Sequence, residues 1–437
     1  MSKVNWTDQQ KRAIELRGGS IALSAAAGSG KTAVLVERVI EILLDDAEPV
    51  DPSELLVVTF TNAAANEMRQ KIKRAINEKI AENPFSSRLN RLKIGIESAN
   101  ICTMDSFCIK LLRENFHLAG VSPDFRPLDG SEEESLKKDI LDMVLEELYV
   151  ERGEPFRRMA DILSDGRDDS SLGEFVSRLY EQAMVFPFPE KWLDSVIELY
   201  ENSGEGIWHA VIRKTVVEAV NFCVSLLNDA IEISSNDEKL SELYIDFLED
   251  EIRRYKKVLD AAENGQWDEL YEKVNTFSFG RIPTVRGDSI FKSAAKGKRD
   301  KSKEVFKQLT EYLCATSDEH KEDMELLLPV AKELIFAAKT YAAKLFEEMK
   351  AKNAYSFSVL NQLTLSLLVK EENGALVKTE LAKELASGIK HVLIDEFQDT
   401  NELQNTVFRA LSSDGEKLFV VGDVKQSIYR FRLAMPT

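Results

Sequence analysis

The feature that most limits what this chain can fold into is a short apolar segment, HVLIDEFQD at residues 391–399, that ends in two adjacent carboxylates. His391 to Ile394 have the length and apolar character of a buried β-strand. Asp395 and Glu396 follow directly, and a pair of acids at such a place is costly unless it binds a metal ion or moves a proton. Both tasks arise where a magnesium nucleotide is hydrolysed, so we expect a phosphate-binding segment elsewhere in the chain.

A glycine-rich segment near the amino terminus, AAAGSGKT at residues 25–32, has the pattern of a phosphate-binding loop. A strand candidate at residues 20–24 precedes it and apolar residues at helical spacing follow it, which is the context that a P-loop needs. In such a loop the backbone amides and the helix amino terminus bind phosphate oxygens. Lys31 then reaches the β- and γ-phosphates, and Thr32 offers its hydroxyl to Mg²⁺.

The pattern departs from the usual one at a single position, because Ala25 replaces the first glycine. Alanine needs only an ordinary backbone angle there. The alternative interpretation is a flexible Gly-Ser loop that precedes Lys-Thr by chance. The predicted nucleotide-binding residues of this segment are Ala25, Ala27, Gly28, Ser29, Gly30, Lys31 and Thr32.

Three strand-then-helix units follow one another in the first part of the chain. Strand candidates at residues 20–24, 54–60 and 99–104 each precede a segment with apolar residues at helical spacing. This alternation predicts an α/β fold with a parallel sheet flanked by helices, and ligands of such sheets bind at the carboxyl ends of the strands.

Polar groups and one aromatic ring lie at these predicted strand ends. Hydroxyls and an amide suit the phosphates of a nucleic-acid strand, and a ring suits a base. Helix caps and a core phenylalanine are an equally consistent interpretation. The candidate DNA-contacting residues here are Thr59, Phe60, Asn62 and Thr103.

The spacing between the two halves of the predicted site indicates an inserted domain. Asp395 lies 364 residues after Lys31, although in a simple P-loop domain the two groups lie on neighbouring strands. Between these segments the pattern is mostly helical. We therefore predict a P-loop domain formed by residues 1–120 and 388–437, with a mostly α-helical insertion domain at residues 121–387.

A basic segment interrupts an acidic composition. The chain has 57 Lys and Arg against 75 Asp and Glu, a formal net charge of -18, which speaks against general adhesion to nucleic acid or to an anionic membrane. Residues 281–307 carry nine basic and three acidic side chains. A DNA-contacting loop and a solvated flexible segment are both consistent with this charge run.

Cysteine usage and hydropathy indicate a cytoplasmic protein without membrane contact. The four cysteines show no C-x-x-C spacing, which favours reduced thiols over a zinc site. No apolar run approaches the roughly 20 residues that a transmembrane helix needs, and the amino terminus lacks a signal-peptide pattern.

The segment VKQSIYRFR, residues 424–432, follows a predicted buried strand at residues 418–423. Gln426 at this strand end can approach a γ-phosphate. Tyr429 and Phe431 alternate with arginines, an arrangement that suits single-stranded bases through stacking and charge. The start of an ordinary amphipathic helix is the alternative interpretation.

Six segments occur in this order along the chain: WTDQQKRAI, AAAGSGKT, TFTNAAANEM, TMDSFC, VLIDEFQDTN and VVGDVKQSIYRFR. Together and in this order they resemble the UvrD/Rep-type superfamily 1 DNA helicases. Within that family, the large helical insertion, FRPLDGSEEE after the third strand, and the basic stretch GRIPTVRGDSIFK most resemble the AddA group of bacterial AddAB helicase-nucleases.

The resemblance implies a RecA-like motor domain with a 1B-like insertion. It also implies a DNA-dependent ATPase of a 3′ to 5′ helicase in double-strand break repair and recombination, with ATP and Mg²⁺ as cofactors. The implied partners are DNA and an AddB-like protein. A non-catalytic nucleotide-binding or protein-docking module that uses the helical insertion is the alternative.

The resemblance also implies individual roles. Gln10 would contact the adenine, Asp395 would complete the magnesium site with Thr32, Glu396 would activate water, and Gln426 would sense the γ-phosphate beside Lys31. The residues implied to contact single-stranded DNA are Thr59, Phe60, Asn62, Thr103, Tyr429 and Phe431.

This chain departs from the family pattern in three places. Asp105 occupies a position where relatives commonly carry histidine, and FSVLN at residues 357–361 lacks the acids of the relatives' F-x-D-L-E. Relatives also continue into a second motor domain, and AddA continues into a nuclease. We therefore expect this amino-terminal portion to bind ATP and Mg²⁺ but not to unwind DNA alone.

Overall fold

The computed structural model describes residues 6–24, 30–164, 170–201, 206–285, 289–372 and 374–423. Contacts divide the chain into two compact units. The first unit comprises Met1–Gly153, Leu163–Leu193 and Phe336–Thr437, and the second comprises Glu154–Ile162 and Asp194–Ile335. The first unit therefore contains helical segments from within the predicted insertion, whose boundaries at 121 and 387 stay a prediction.

A five-stranded parallel sheet forms the centre of the first unit in the described residues. Its order is β1-β9-β8-β2-β3, so β9 lies between the strand before the glycine-rich loop and the strand before the acid pair. The predicted α/β fold class is confirmed. The strands are β1 Ile21–Ser24, β2 Leu55–Thr59, β3 Asn100–Thr103, β4 Arg126–Pro127, β5 Ala354–Tyr355, β6 Val369–Glu372, β7 Ala375–Lys378, β8 His391–Ile394 and β9 Leu418–Gly422.

Helices account for most of the remaining described residues. They are α1 Asp8–Glu15, α2 Lys31–Leu44, α3 Asn62–Glu82, α4 Ser87–Gly95, α5 Met104–Glu114, α6 Phe116–Ala119, α7 Gly130–Glu151, α8 Glu154–Leu163, α9 Ser170–Ala183, α10 Pro189–Glu201, α11 Ile207–Ser234, α12 Glu238–Asn264, α13 Trp267–Asn275, α14 Ile290–Tyr312, α15 Ser317–Ala351, α16 Phe357–Leu368, α17 Glu380–Gly388 and α18 Glu402–Leu411. None of the helices in the described residues has both the length and the apolar character that crossing a membrane requires.

The sheet is buried on both faces because its strands alternate between two cores. Leu55 and Val57 of β2 pack with residues of α2, α3 and α4 on one face. Leu56 and Val58 of the same strand pack with residues of α5, α16, α17 and α18 on the other. This arrangement explains why the strands are continuous apolar runs rather than alternating polar and apolar sequences.

Short polar residues determine where the helices beside the sheet begin. Thr61 Oγ1 accepts a hydrogen bond from Ala64 N at the start of α3, and Thr103 Oγ1 accepts one from Ser106 N at the start of α5. Gly30, with φ of +81°, precedes α2 in a left-handed conformation that glycine adopts without steric cost. These caps fix the first turns of the helices at the carboxyl edge of the sheet.

The second unit has its own core, formed mainly by α11, α12, α13 and α14. A buried ion pair joins two of these helices, because Arg299 of α14 donates to Glu251 of α12 at 2.7 and 3.1 Å. Helix α14 begins at Ile290, within the basic segment at residues 281–307. The basic segment is thus largely helical rather than a loop.

Candidate functional site

The two halves of the predicted site meet at the carboxyl edge of the sheet in the first unit. Lys31 and Thr32 form the first turn of α2, and Asp395 and Glu396 follow β8. Thr32 Oγ1 donates a hydrogen bond to Asp395 Oδ2 at 3.1 Å. Lys31 Nζ lies 3.8 Å from Glu396 Oε2. An ammonium, a hydroxyl and two carboxylates are therefore brought together from opposite ends of the chain.

The Lys31 ammonium is buried, and its contacts with the described residues do not offset its loss of hydration. Its side chain is 8% exposed, and no described residue lies within hydrogen-bond distance of Nζ. The 3.8 Å contact to Glu396 is long for an ion pair that has to offset desolvation. A buried cation at a helix amino terminus is suited to receive an anion such as a phosphate, and the helix dipole acts in the same direction.

The Asp395 carboxylate is buried beside another acid. Burial is the main cause that raises the pKa of Asp395, and the charge of Glu396 raises it further. The hydroxyl of Thr32, the backbone amide of Glu396 and the charge of Lys31 act in the opposite direction. A bound dication would also favour the charged carboxylate.

The donor set fits Mg²⁺ in the manner of nucleotide sites. Carboxylate and hydroxyl oxygens are hard ligands, and Mg²⁺ usually combines one or two carboxylates with substrate phosphates and water. The described residues contain no cluster of three or more His, Cys, Asp or Glu that could hold a metal ion without such help. Thr32 and Asp395 are therefore suited to hold Mg²⁺ together with a phosphate, rather than in an all-protein cage.

Glu396 adopts a strained backbone conformation. Its φ of 53° and ψ of 44° are left-handed, which costs a residue with a side chain on the order of 1–3 kcal/mol. The conformation is held by a tight turn in which Asp399 N donates to Glu396 O at 3.0 Å. Strain of this kind concentrates at functional sites, where it fixes the direction of a side chain.

Sequence reasoning missed Gln398, which contacts Glu396 directly. Gln398 is 4% exposed, and its Nε2 donates to Glu396 Oε2 at 2.6 Å. Its Oε1 accepts a hydrogen bond from Asp423 N, just after β9, at 2.9 Å. The sequence does show a polar residue in the turn that follows the acid pair. That Gln398 is buried could not be read from it, because the burial depends on the neighbouring strand β9.

The structure also brings Gln10 to this edge. A Cβ built on Gly30 would lie 3.6 Å from Gln10 Nε2. Helix α1 is held by a capping box between Thr7 and Gln10, and Arg38 of α2 donates to Ala13 O at 2.6 Å. Gln10 is thus placed beside the segment predicted to bind the nucleotide.

A cavity of about 270 Å³ adjoins the acid pair. Its lining includes three of the candidate DNA-contacting residues, Thr59, Phe60 and Thr103. Phe60 is 42% exposed, so it is not the core residue of the alternative interpretation. Thr103 does cap α5, whereas Thr59 is buried and its hydroxyl donates to Thr61 O at 3.0 Å.

Two residues that depart from the family pattern contact each other. Asn361 Nδ2 donates to Asp105 Oδ1 at 3.3 Å, and Asp105 lines the same cavity. Nearby, Ser106 Oγ lies 3.5 Å from Oδ1 of Asn62, the fourth candidate. The remaining predicted site residues lie outside the described residues; they are Ala25, Ala27, Gly28, Ser29, Gln426, Tyr429 and Phe431.

Comparison with known proteins agrees with the segments identified in the sequence. The model of the UvrD/REP helicase N-terminal domain matches residues 6–437. The chain is 34% identical, over 99% of its length, to AddA, the ATP-dependent helicase/nuclease protein of Listeria monocytogenes serotype 4b strain F2365. It is 34% identical over 99% of its length to the protein of the same name from Acetivibrio thermocellus, and 36% identical over its full length to that from Desulforamulus reducens.

The predicted resemblance to AddA is thereby confirmed as a similarity. The matched region covers 36% of each of these relatives, so the chain spans about a third of their length. The family model matches residues 6–437, so the family assignment does not depend on how much of those relatives the chain covers. The chain belongs to the UvrD/REP helicase N-terminal domain family.

Proposed function

We propose that this chain is the ATP-hydrolysing motor portion of a DNA helicase. The observation that carries the proposal is the hydrogen bond between Thr32 and Asp395, beside the contact between Lys31 and Glu396. A P-loop helix and an acid pair that close around one position are what hydrolysis of a magnesium nucleotide needs.

Lys31 and the first turn of α2 bind the β- and γ-phosphates of ATP in this proposal. The Lys31 ammonium is buried and lacks a hydrogen-bond partner among the described residues, so phosphate oxygens would satisfy it. Gln10 approaches Gly30 and is in place to contact the nucleotide. The backbone of residues 25–29 would complete the phosphate contacts.

Thr32 and Asp395 would hold Mg²⁺, and the ion would neutralise the charge that develops on the phosphate oxygens. Glu396 accepts the proton of the attacking water. Its side chain is 37% exposed, so water reaches it, and its strained backbone keeps the carboxylate at the edge of the sheet. Gln426 would sense the γ-phosphate.

DNA passes over the carboxyl edge of the sheet in this proposal. The half-exposed ring of Phe60 offers a stacking surface, which is typically worth about 1–3 kcal/mol per base. Thr59, Asn62 and Thr103 line or flank the same edge, and Tyr429 and Phe431 would add further contacts. Exposed lysines of α14 give a second, electrostatic contact with DNA.

The relatives' names extend the proposal beyond the motor. Each is named as one subunit of an ATP-dependent helicase/nuclease, which implies a nuclease activity and at least one further protein chain in those assemblies. We infer an AddB-like partner, 3′ to 5′ translocation, a function in double-strand break repair and a cytoplasmic location for the protein that contains this chain.

A Glu396→Gln variant of the complete gene product tests the catalytic assignment. We expect DNA-stimulated ATP hydrolysis to fall by about 100-fold or more, since general-base catalysis contributes about 10² to 10⁴ in rate. The Kd for ATP in the presence of Mg²⁺ should stay within about twofold of the wild-type value. Hydrolysis at the wild-type rate in the variant would contradict the assignment of Glu396. Absence of DNA-stimulated hydrolysis in the wild-type protein would favour a non-catalytic nucleotide-binding module.

A further inference from the structure

We propose that Gln398 is a positioning residue that holds the Glu396 carboxylate and joins it to the end of β9. The inference rests on the proposed catalytic function of Glu396. Gln398 lies two residues after Glu396, in the tight turn Phe397–Asp399 that directs its side chain back toward the acid.

Both ends of the Gln398 amide are engaged. Nε2 donates to Glu396 Oε2 at 2.6 Å, and Oε1 accepts from the backbone amide of Asp423 at 2.9 Å. Because the side chain is 4% exposed, water does not readily replace either hydrogen bond. A single side chain therefore connects the carboxylate after β8 with the backbone after the neighbouring strand.

Gly422 provides the space for this connection. A Cβ at Gly422 would lie 2.8 Å from Gln398 Oε1 and 3.3 Å from Gln398 N, closer than ordinary contact. The last residue of β9 thus allows the close approach of the Gln398 amide. This need for space at Gly422 is separate from the two hydrogen bonds. A substitution of Gly422 therefore tests it without changing Gln398.

The connection matters because the contact between the Glu396 carboxylate and Lys31 is temporary in the proposed reaction. Lys31 Nζ lies 3.8 Å from the same Oε2 atom that Gln398 binds. When Lys31 turns to the phosphates of ATP, Gln398 remains as the group that holds Glu396 toward the attacking water. Asp423, whose backbone amide Gln398 binds, lies three positions before Gln426 in the sequence.

The test compares Gln398→Met and Gly422→Ala with wild type in the complete gene product. Methionine keeps the length of the side chain and removes both hydrogen bonds, whereas alanine at position 422 displaces the amide sterically. We expect either change to lower kcat for ATP hydrolysis by about 10- to 100-fold, as for other groups that orient a functional side chain. KM for ATP and the Kd for ATP with Mg²⁺ should stay within about twofold.

Gln362→Met is the matched control. Gln362 is a half-buried glutamine of the same unit, and its Nε2 donates to Met184 O at 2.9 Å and Phe186 O at 2.7 Å. Its replacement removes two hydrogen bonds that involve neither Glu396 nor Lys31, so the melting temperature should fall while kcat stays at the wild-type value. A purely structural function of Gln398 predicts the same behaviour for Gln398→Met, and that result would overturn the proposal.

A double variant separates the positioning function of Gln398 from the catalytic function of Glu396. If Gln398 acts through Glu396, adding Gln398→Met to Glu396→Gln should cause no further loss in the single-turnover rate. A further loss of tenfold or more would mean that Gln398 acts independently, and would overturn the inference. Failure of the proposed function has a different signature, since either the wild-type protein would then show no DNA-stimulated ATP hydrolysis or Glu396→Gln would hydrolyse ATP as fast as wild type.

Discussion

Thr32 Oγ1 donates a hydrogen bond to Asp395 Oδ2 at 3.1 Å, although 363 residues separate the two in the sequence. They do not lie after adjacent strands, because β9 separates β1 from β8. The first turn of α2 and the end of β8 nevertheless meet at one edge of the sheet. This contact is the geometric basis for the proposed magnesium site, which the two ends of the chain would share.

Thr32→Val and Asp395→Asn should each remove the Mg²⁺-dependent part of ATP binding. Thr32→Val deletes one proposed oxygen ligand, and Asp395→Asn removes the negative charge of the other. The loss of one interaction with a charged group is worth about 1.5–3 kcal/mol, or about 10- to 100-fold in Kd. Titration of a fluorescent ATP analogue with and without Mg²⁺ measures the effect. Without Mg²⁺ the Thr32→Val variant should bind like wild type.

Thr364→Val is a suitable control for the threonine variant. Thr364 is fully buried in α16, and its hydroxyl donates to Leu360 O at 2.9 Å. The same chemical change there should leave ATP binding unaltered in both conditions. If Thr32→Val and Thr364→Val responded alike to Mg²⁺, Thr32 would not be a ligand.

Arg299→Met should unfold the second unit at a lower urea concentration. Glu251 is completely buried and Arg299 is 3% exposed, and Arg299 Nη2 also donates to Gly280 O at 2.6 Å. Removing the cation leaves a buried carboxylate unpaired, which costs about 3–5 kcal/mol. Urea titration followed by circular dichroism measures the change in the free energy of unfolding.

Lys301→Met provides the comparison for Arg299→Met. Lys301 lies two positions along the same helix and pairs with Glu304 at 3.0 Å, but both side chains are more than half exposed. Solvent screens such a pair, so the unfolding midpoint should hardly move. Equal midpoints for the two variants would show that burial of the Arg299 pair is not what stabilises this unit.

His391 should make the free energy of unfolding depend on pH. Burial, followed by nearby positive charges, lowers the pKa of His391 from 6.5 to about 4. Between these values the unfolded chain binds a proton that the folded chain does not, so stability is lost as pH falls from 6.5 to 4. The charges belong to Arg38, Arg17, Lys390 and Lys417.

His391→Gln should flatten that part of the stability profile. One proton contributes a slope of at most about 1.4 kcal/mol per pH unit, which the variant should lack. Urea titrations of both proteins between about pH 4.5 and about pH 8, within the reversible range, give the difference directly, since the remaining groups are common to both. Superimposable profiles would mean that His391 is protonated equally in the two states.

Lys296→Gln with Lys307→Gln should weaken DNA binding through electrostatics. Both lysines are exposed on α14, 11 residues and about three turns apart, so they share one face of the helix. If each contacts a phosphate, the slope of log Kd against log salt concentration should fall by about 0.9 per contact on duplex DNA. Fluorescence anisotropy at several salt concentrations measures the slope.

Lys239→Gln with Lys321→Gln carries the same loss of charge elsewhere in the second unit. Both lysines are exposed and have acidic neighbours in the sequence, such as Glu238 and Glu322. This pair should leave the salt slope unchanged. The same slope for wild type and the α14 variant would identify the basic segment as a solvated surface without contact to DNA.

Much of the sheet could be predicted because buried strands are apolar runs of characteristic length. The predicted strand at residues 54–60 is observed at Leu55–Thr59, and that at residues 418–423 is observed at Leu418–Gly422. The order of the strands could not be predicted, since it depends on which faces the helices cover. The pairing of β9 between β1 and β8 is a tertiary property.

Site residues could be predicted where the chemistry requires a particular residue type. Buried polar residues could not be predicted where their partners come from distant parts of the chain. Lys31, Thr32 and Asp395 follow from what a magnesium nucleotide needs. Arg299 lies in a charge run that favours solvent, yet Glu251 on another helix pairs with it in the core. Gln398 has no local signature of burial, because its second partner is the backbone after β9.

The most direct test of the account is the effect of ATP and Mg²⁺ on the stability of this chain. At about 100 times the Kd, a ligand that binds only the folded state adds about 2.7 kcal/mol to the free energy of unfolding. We predict that increment for wild type, measured by urea titration, and its loss in Lys31→Ala. An unfolding midpoint that ATP and Mg²⁺ leave unchanged, or an equal increment in Lys31→Ala, would contradict a nucleotide site built from both ends of the chain.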